Sequence, residues 1–174
     1  MTARAILNMI PKPGKITNGK IIYHRRVQQN GHGQMDDVVE LTQLDPDGKT
    51  IREIRGGEIG MIFQEPMTSL NPLLTCGAQV MEILVKHRNL SRKEAKKRTI
   101  ELFEQVELPD PVSMIDRFPH QVSGGQKQRV MIAMAISCNP DLLIADEPTT
   151  ALDVRIQKNI IRIIKSLQQQ HNMS

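Results

Sequence analysis

No G-x-x-x-x-G-K-[ST] loop occurs anywhere in the 174 residues. Such a loop cradles nucleotide phosphates with backbone N–H groups and a lysine, so these residues alone hold at most part of that kind of site. Aromatics are almost as scarce. Phe63, Phe103, Phe118 and Tyr23 are the only ones, and tryptophan is absent. The two cysteines, Cys76 and Cys138, make no metal-type spacing and fit a reduced cytosolic compartment. No apolar run approaches the roughly 18 residues that a spanning helix needs. Residues 1–10 are too short and too interrupted for a signal peptide. Repeats are missing, and Gln168, Gln169 and Gln170 make the one biased tract. Charge of one sign is also in short supply. The net charge of +4 describes a mildly basic surface and requires no nucleic acid. Its densest basic stretch, residues 92–98, is interrupted by Glu94 and Ala95 and reads as the wet face of a helix.

What is present suits a core of one domain, or part of a larger one: 39% of residues are apolar. Helical spacing of Ala3, Ile6, Leu7 and Ile10 predicts a helix over 2–10, ended by Pro11, Pro13 and Gly14. Short strands are predicted at 20–23 and 38–41, and a helical turn at 51–55 closed by Gly56 and Gly57. A buried strand at 59–63 leads into Gln64, Glu65 and Pro66. From Thr75 the period becomes helical, with Val80, Ile83 and Leu84 on one face. Ser91 and Glu94 form a capping box for a helix running to Val106, and a short helix is expected at 112–117. Further helices are expected at 124–137 and 154–170, with an apolar strand at 142–145 between them.

Three places carry chemistry. Ser123, Gly124, Gly125 and Gln126 stand where a helix begins. Free N–H groups, the positive end of the dipole and a hydroxyl there suit an anionic phosphate; a serine-capped flexible turn is the bland alternative. Leu142, Leu143, Ile144 and Ala145 read as a central parallel strand, apolar on both faces. Asp146 then stands beyond a strand's carboxyl end, where ligands bind in open α/β sheets, and can hold Mg²⁺. Glu147 can orient and deprotonate an attacking water, against the alternative of a solvated turn capping the next helix. Gln64 follows the other buried strand, where an amide can touch a metal-bound water; by itself a surface glutamine is the default.

Taken in order, these residues resemble the ATPase subunit of ABC transporters. Gln64 is similar to that family's Q-loop. V-S-G-G-Q, ending at Gln126, is similar to its L-S-G-G-Q signature, with Val122 replacing leucine. Asp146 matches the end of Walker B and Glu147 the catalytic glutamate, and Ala151, Leu152 and Asp153 match the D-loop. F-Q-E-P-M-T-S-L-N-P from Phe63 and D-E-P-T-T-A-L-D-V from Asp146 look like the dipeptide/oligopeptide importer branch, whose wording nickel and glutathione importers share. The resemblance implies an α/β fold: a partial P-loop NTPase sheet from residues 1–74 and 139–174, with an inserted helical signature subdomain at 75–138. It implies ATP and Mg²⁺, with Asp146 and Gln64 at the metal and Glu147 and Gln64 in catalysis. Ser123, Gly124, Gly125, Gln126 and Asp153 would serve an ATP held by a second ATPase subunit, identical or not. Transmembrane permease subunits would dock on the Q-loop and helical insert. An extracytoplasmic solute-binding protein would act indirectly, nucleic acid would be no partner, and the complex would sit on the cytoplasmic face of the membrane.

By the same resemblance Met1 falls just after the family's phosphate loop, and Ser174 before the strand carrying its switch histidine. The expectation is therefore a subunit truncated at both ends, inactive alone. The strand at 142–145 is expected to lack a neighbour on one edge. Unpaired buried backbone groups there would cost about 1–3 kcal/mol each, leaving a marginal fold. The extended stretch at 28–49 is expected to form a surface hairpin or loop. Two alternatives stand beside the importer: a non-catalytic remnant that pairs with an intact ATPase subunit, and an ABC-type ATPase of DNA maintenance. The ordinary length between Gln64 and Ser123 argues against the latter, whose members often carry long coiled coils or zinc modules there.

Overall fold

A computed structural model describes residues 2–28, 34–63, 69–150 and 153–174, with the backbone alone at 26–28 and 34–36. Gln64, Glu65 and Pro66, and likewise Ala151 and Leu152, lie outside the described residues. The chain divides into two compact units, Met1–Arg55 and Gly56–Ser174.

In the first unit, helix α1 (Thr2–Ile6) stops short of the expected residue 10. Asn8 takes a left-handed conformation, φ 51°, which ends the helix before the prolines do. Arg55 collects the carbonyls released there. It donates from Nε to Leu7 O at 2.6 Å, from Nη2 to Asn8 O at 2.7 Å, and from Nη1 to Pro46 O at 2.9 Å. A cation is favoured at a helix carboxyl end, where carbonyls lack intrahelical partners. Strands β1 (Ile22–Gln28) and β2 (Gln34–Glu40) form an antiparallel ribbon, longer than the expected strands. Arg25 lies directly opposite Asp37 and bonds it at 3.3 Å. Opposite charges thus pair across the ladder. Helix α2 (Lys49–Glu53) runs into a π turn (Ile54–Glu58). The backbone therefore winds on through Gly56 and Gly57, which were expected to close the turn.

In the second unit, β3 (Ile59–Ile62) pairs in parallel with β4 (Leu142–Ala145), Ile59 opposite Leu142 and Ile62 opposite Ala145. Helices α3 (Cys76–Arg88), α4 (Arg92–Gln105), α5 (Pro111–Met114), α6 (Gly124–Ile136) and α7 (Val154–His171) accompany them. Their shared core includes Leu102, Phe103, Ile132, Ile136 and Ile160, all fully buried. Each such side chain contributes about 1.5–3 kcal/mol of transfer free energy. Helix α6 crosses close over β3, where a Cβ on Gly60 would run into the carbonyl oxygen of Ala135. The caps follow sequence: Thr75 accepts from Ala78 N, Ser91 and Glu94 form their box, and Asp110 caps a helix with Pro111 in its first turn.

Strand β4 departs from expectation in its burial. Residues 142–144 are half-buried and Ala145 is exposed, so β4 is not the fully enclosed central strand its apolar run suggests. Among the described residues β3 is its one strand neighbour. Its other edge is met by the chain's last residue: Leu143 N donates to Ser174 O at 2.8 Å and Ser174 N to Asp141 O at 2.9 Å. The edge expected to be bare thus has partners at one step of the ladder.

Candidate functional site

The serine–diglycine corner begins α6. Ser123 Oγ accepts from Gln126 N at 3.3 Å, and Gln126 Oε1 accepts from Ser123 N at 2.8 Å. This capping box turns the Gln126 amide back onto its own helix and fixes the entry angle of the chain. It satisfies two backbone donors and leaves the next two. The N–H groups of Gly124 and Gly125 have no intrahelical acceptor and bond to none of the described residues. Ser123 is exposed, Gly124 partly so. Gly125 is buried, and an added Cβ would meet Ile156 Cγ2 of α7 at 3.1 Å. Its small size therefore serves the packing of α6 against α7.

The carboxylates leave the end of β4. Asp146 N donates to Ile62 O at 3.0 Å, which carries the parallel ladder one step past Ala145. The Asp146 carboxyl is half-exposed beyond that last rung. Glu147 is exposed and held at φ 49°, a left-handed conformation rare for glutamate. A tight turn stabilises it: Thr150 N donates to Glu147 O at 3.2 Å, and Thr150 Oγ1 donates to Glu147 Oε2 at 2.9 Å. Strained backbone of this kind concentrates at functional sites.

Asp153 is the N-cap of α7. Its Oδ1 accepts from Arg155 N and Ile156 N, each at 3.0 Å. Capping of this helix falls to Asp153, not to Asp146 or Glu147. Gln157, one turn on, donates to Thr149 O at 3.3 Å and ties the carboxylate turn to α7. Ile156 thus links two parts of the site: its N–H bonds Asp153 and its side chain lies against Gly125. Gln64 lies outside the described residues.

Sequence reasoning passed over two polar residues. Thr150, which grips the Glu147 carboxylate, sits three residues along in a turn, a spacing that suits such a bond. Gln79, 6% exposed, accepts from Asn71 N at 2.8 Å and donates to Asn71 O at 3.1 Å and Leu74 O at 3.2 Å. It staples the loop at 71–74 to the start of α3. A lone glutamine on a helix face gives no signal of this.

The donor set suits magnesium and phosphate. Mg²⁺ keeps several waters and takes one or two carboxylates plus phosphate oxygens. Asp146 at the strand end fits that pattern, and the paired N–H groups of Gly124 and Gly125 fit an anion. Among the described residues no cluster of three or more His, Cys, Asp or Glu forms a closed cage for a metal.

A family model described as ABC transporter matches residues 6–150. The chain is 46% identical over 175 residues to the oligopeptide transport ATP-binding protein OppD of Bacillus subtilis, covering 100% of this chain and 45% of that protein. It is 45% identical over 174 residues to the dipeptide transport ATP-binding protein DppD of Escherichia coli K12, covering 100% and 49%. The chain thus spans about half the length of these curated relatives. A dimeric post-hydrolysis structure of the ATP-binding cassette MJ0796, bound to ADP and Pi, is similar with a TM-score of 0.65 and 34% identity. That match covers 78% of this chain and 59% of the other.

Proposed function

We propose a function from the premise that this chain belongs to the ABC transporter family: it forms part of an ATP-hydrolysing subunit that powers import of peptides or similar small solutes. Likeness to oligopeptide and dipeptide transport ATP-binding proteins supports that cargo class. Residues 1–74 and 139–174 belong to the ATPase core in this account, and 75–138 to the helical signature subdomain. Asp146 holds Mg²⁺ together with Gln64. When bound, that ion neutralises charge on the phosphates. Glu147 takes the proton of the attacking water, and Thr150 fixes one of its carboxylate oxygens. Ser123, Gly124 and Gly125 grip the γ-phosphate of an ATP bound mainly by a second ATPase subunit, and Gln126 completes that nucleotide site by closing the helix start through its box with Ser123. Asp153 couples the two sites. Permease subunits anchor the assembly on the cytoplasmic face of the membrane, and a solute-binding protein delivers cargo to them. Among the described residues no helix is long and apolar enough to cross a membrane.

The observation that carries this proposal is the pair of N–H groups at Gly124 and Gly125 that bond to none of the described residues, at a helix start whose capping serine is exposed. No G-x-x-x-x-G-K-[ST] occurs in the 174 residues, so the test takes these residues by themselves. Purified alone, it hydrolyses no ATP above background. Mixed with an intact ATPase subunit, it stimulates turnover, and Ser123→Arg abolishes the stimulation. Turnover by the chain alone that Glu147→Gln removes would overturn the shared-site assignment. Capture of an intact subunit with no effect on its turnover favours a non-catalytic pairing role instead.

A further inference from the structure

Helix α7 carries a feature that nucleotide chemistry does not use. Its 18 residues contain Arg155, Lys158, Arg162 and Lys165 and no acidic residue. The four cations recur at i, i+3, i+7 and i+10, which places them on one stripe. The opposite face holds Ile160, Ile163 and Leu167, all buried in the core, so the stripe points to solvent. Arg162 bonds Glu107 Oε2 at 2.6 Å. Arg155, Lys158 and Lys165 have no ionic partner among the described residues. Two aliphatic side chains border the stripe, Val154 at 65% and Ile161 at 41% exposure. Lys158, Ile161, Lys165 and Ser166 help line an open concavity of about 500 Å³ along it.

We propose that this face of α7 docks on an anionic lipid surface, with Lys158, Lys165 and Arg155 against the headgroups and Ile161 and Val154 at their boundary with the acyl chains. Charge complementarity selects the occupant: a helix with four cations and no acid attracts a negative surface at short range. The aliphatic border separates a membrane from a nucleic acid. Single strands are held on aromatic platforms, and no aromatic lies on α7. Interfacial helices instead set aliphatics beside lysine and arginine. Docking of this kind needs neither ATP nor a partner subunit, so it stands or falls separately from the function proposed above.

The test is co-sedimentation of the full chain with vesicles of phosphatidylglycerol mixed with phosphatidylcholine, and with phosphatidylcholine alone. Binding is expected with the first, is lost with the second, and weakens as salt rises. Lys158→Glu with Lys165→Glu is expected to weaken binding by about tenfold or more. Lys158→Gln with Lys165→Gln gives a smaller loss and checks that charge reversal has not unfolded the chain, as read by circular dichroism. A matched control, Lys93→Glu with Lys97→Glu on the exposed face of α4, changes net charge equally and is expected to bind within about twofold of the unaltered chain. Equal loss in the two reversal variants overturns the proposal, because binding then follows net charge. So does failure to bind phosphatidylglycerol vesicles, or displacement from them by short duplex DNA at equimolar phosphate.

Discussion

Gly125 at the start of α6 lies against Ile156 in the first turn of α7, where a Cβ would stand 3.1 Å from Ile156 Cγ2. This contact holds the serine–diglycine corner beside the helix capped by Asp153. Gly125→Val is expected to destabilise the fold by about 1–3 kcal/mol, as overpacking does. Combined with Ile156→Ala, the valine finds room, and the double variant costs less than the sum of the single ones. Urea titration of the four proteins measures the coupling. Strict additivity would show that the two side chains do not meet.

Asp153 bonds two amides of α7, so its removal has a structural cost apart from any role in coupling sites. Asp153→Ala is expected to lose about 1 kcal/mol of stability, while Asp153→Asn stays within a few tenths. Thermal or urea unfolding distinguishes them. If Asp153→Asn nonetheless abolishes stimulation of an intact ATPase subunit, coupling depends on the charge and not on the cap.

Glu147 sits at φ 49°, where glycine is at ease and a Cβ is not. Glu147→Gly is therefore expected to be more stable than Glu147→Ala by about 1 kcal/mol, despite glycine's greater freedom in the unfolded chain. Both variants lose the bond from Thr150 Oγ1, so their difference isolates the backbone. Equal stability in urea would mean that the turn relaxes out of the left-handed region.

The pH dependence of stability has a fixed sign at two histidines. Burial pulls His87 and His171 below the ordinary 6.5, with Lys86 acting the same way on the first and Arg98 on the second. His171 Nε2 is buried without a hydrogen-bond partner. A depressed histidine binds protons more readily when unfolded, so stability is full above the unfolded value. It falls as pH drops through 6.5 towards the folded value. The urea midpoint is expected to fall below about pH 6.5, less steeply in His171→Gln. An identical slope in that variant would place the proton uptake elsewhere.

Much of the site's frame was legible because local signals agree. Leu142–Ala145 has the predicted strand limits, with Pro140 before it and two carboxylates after it. The box of Ser91 and Glu94 starts α4 as expected, and α6 starts at Gly124. What escaped depends on partners distant in sequence. Arg55 draws in the carbonyls of Leu7 and Asn8, and α1 ends early. Arg25 and Asp37 face each other only once the ribbon has formed, which lengthens strands that look polar and irregular. Gly56 marks a close approach, since a Cβ there would strike the ring of His87. The apolar run of β4 suggests burial on both faces, but neighbouring elements decide enclosure, and residues 142–144 are only half-buried.

The most direct measurement is the backbone amide NMR spectrum of Gly124 and Gly125 as Mg²⁺ and ATP are added, with and without an intact ATPase subunit. Both resonances are predicted to move only when nucleotide and partner are present together, because the corner meets a phosphate presented by the other subunit. Shifts with ATP alone, or none with both, would contradict the shared site.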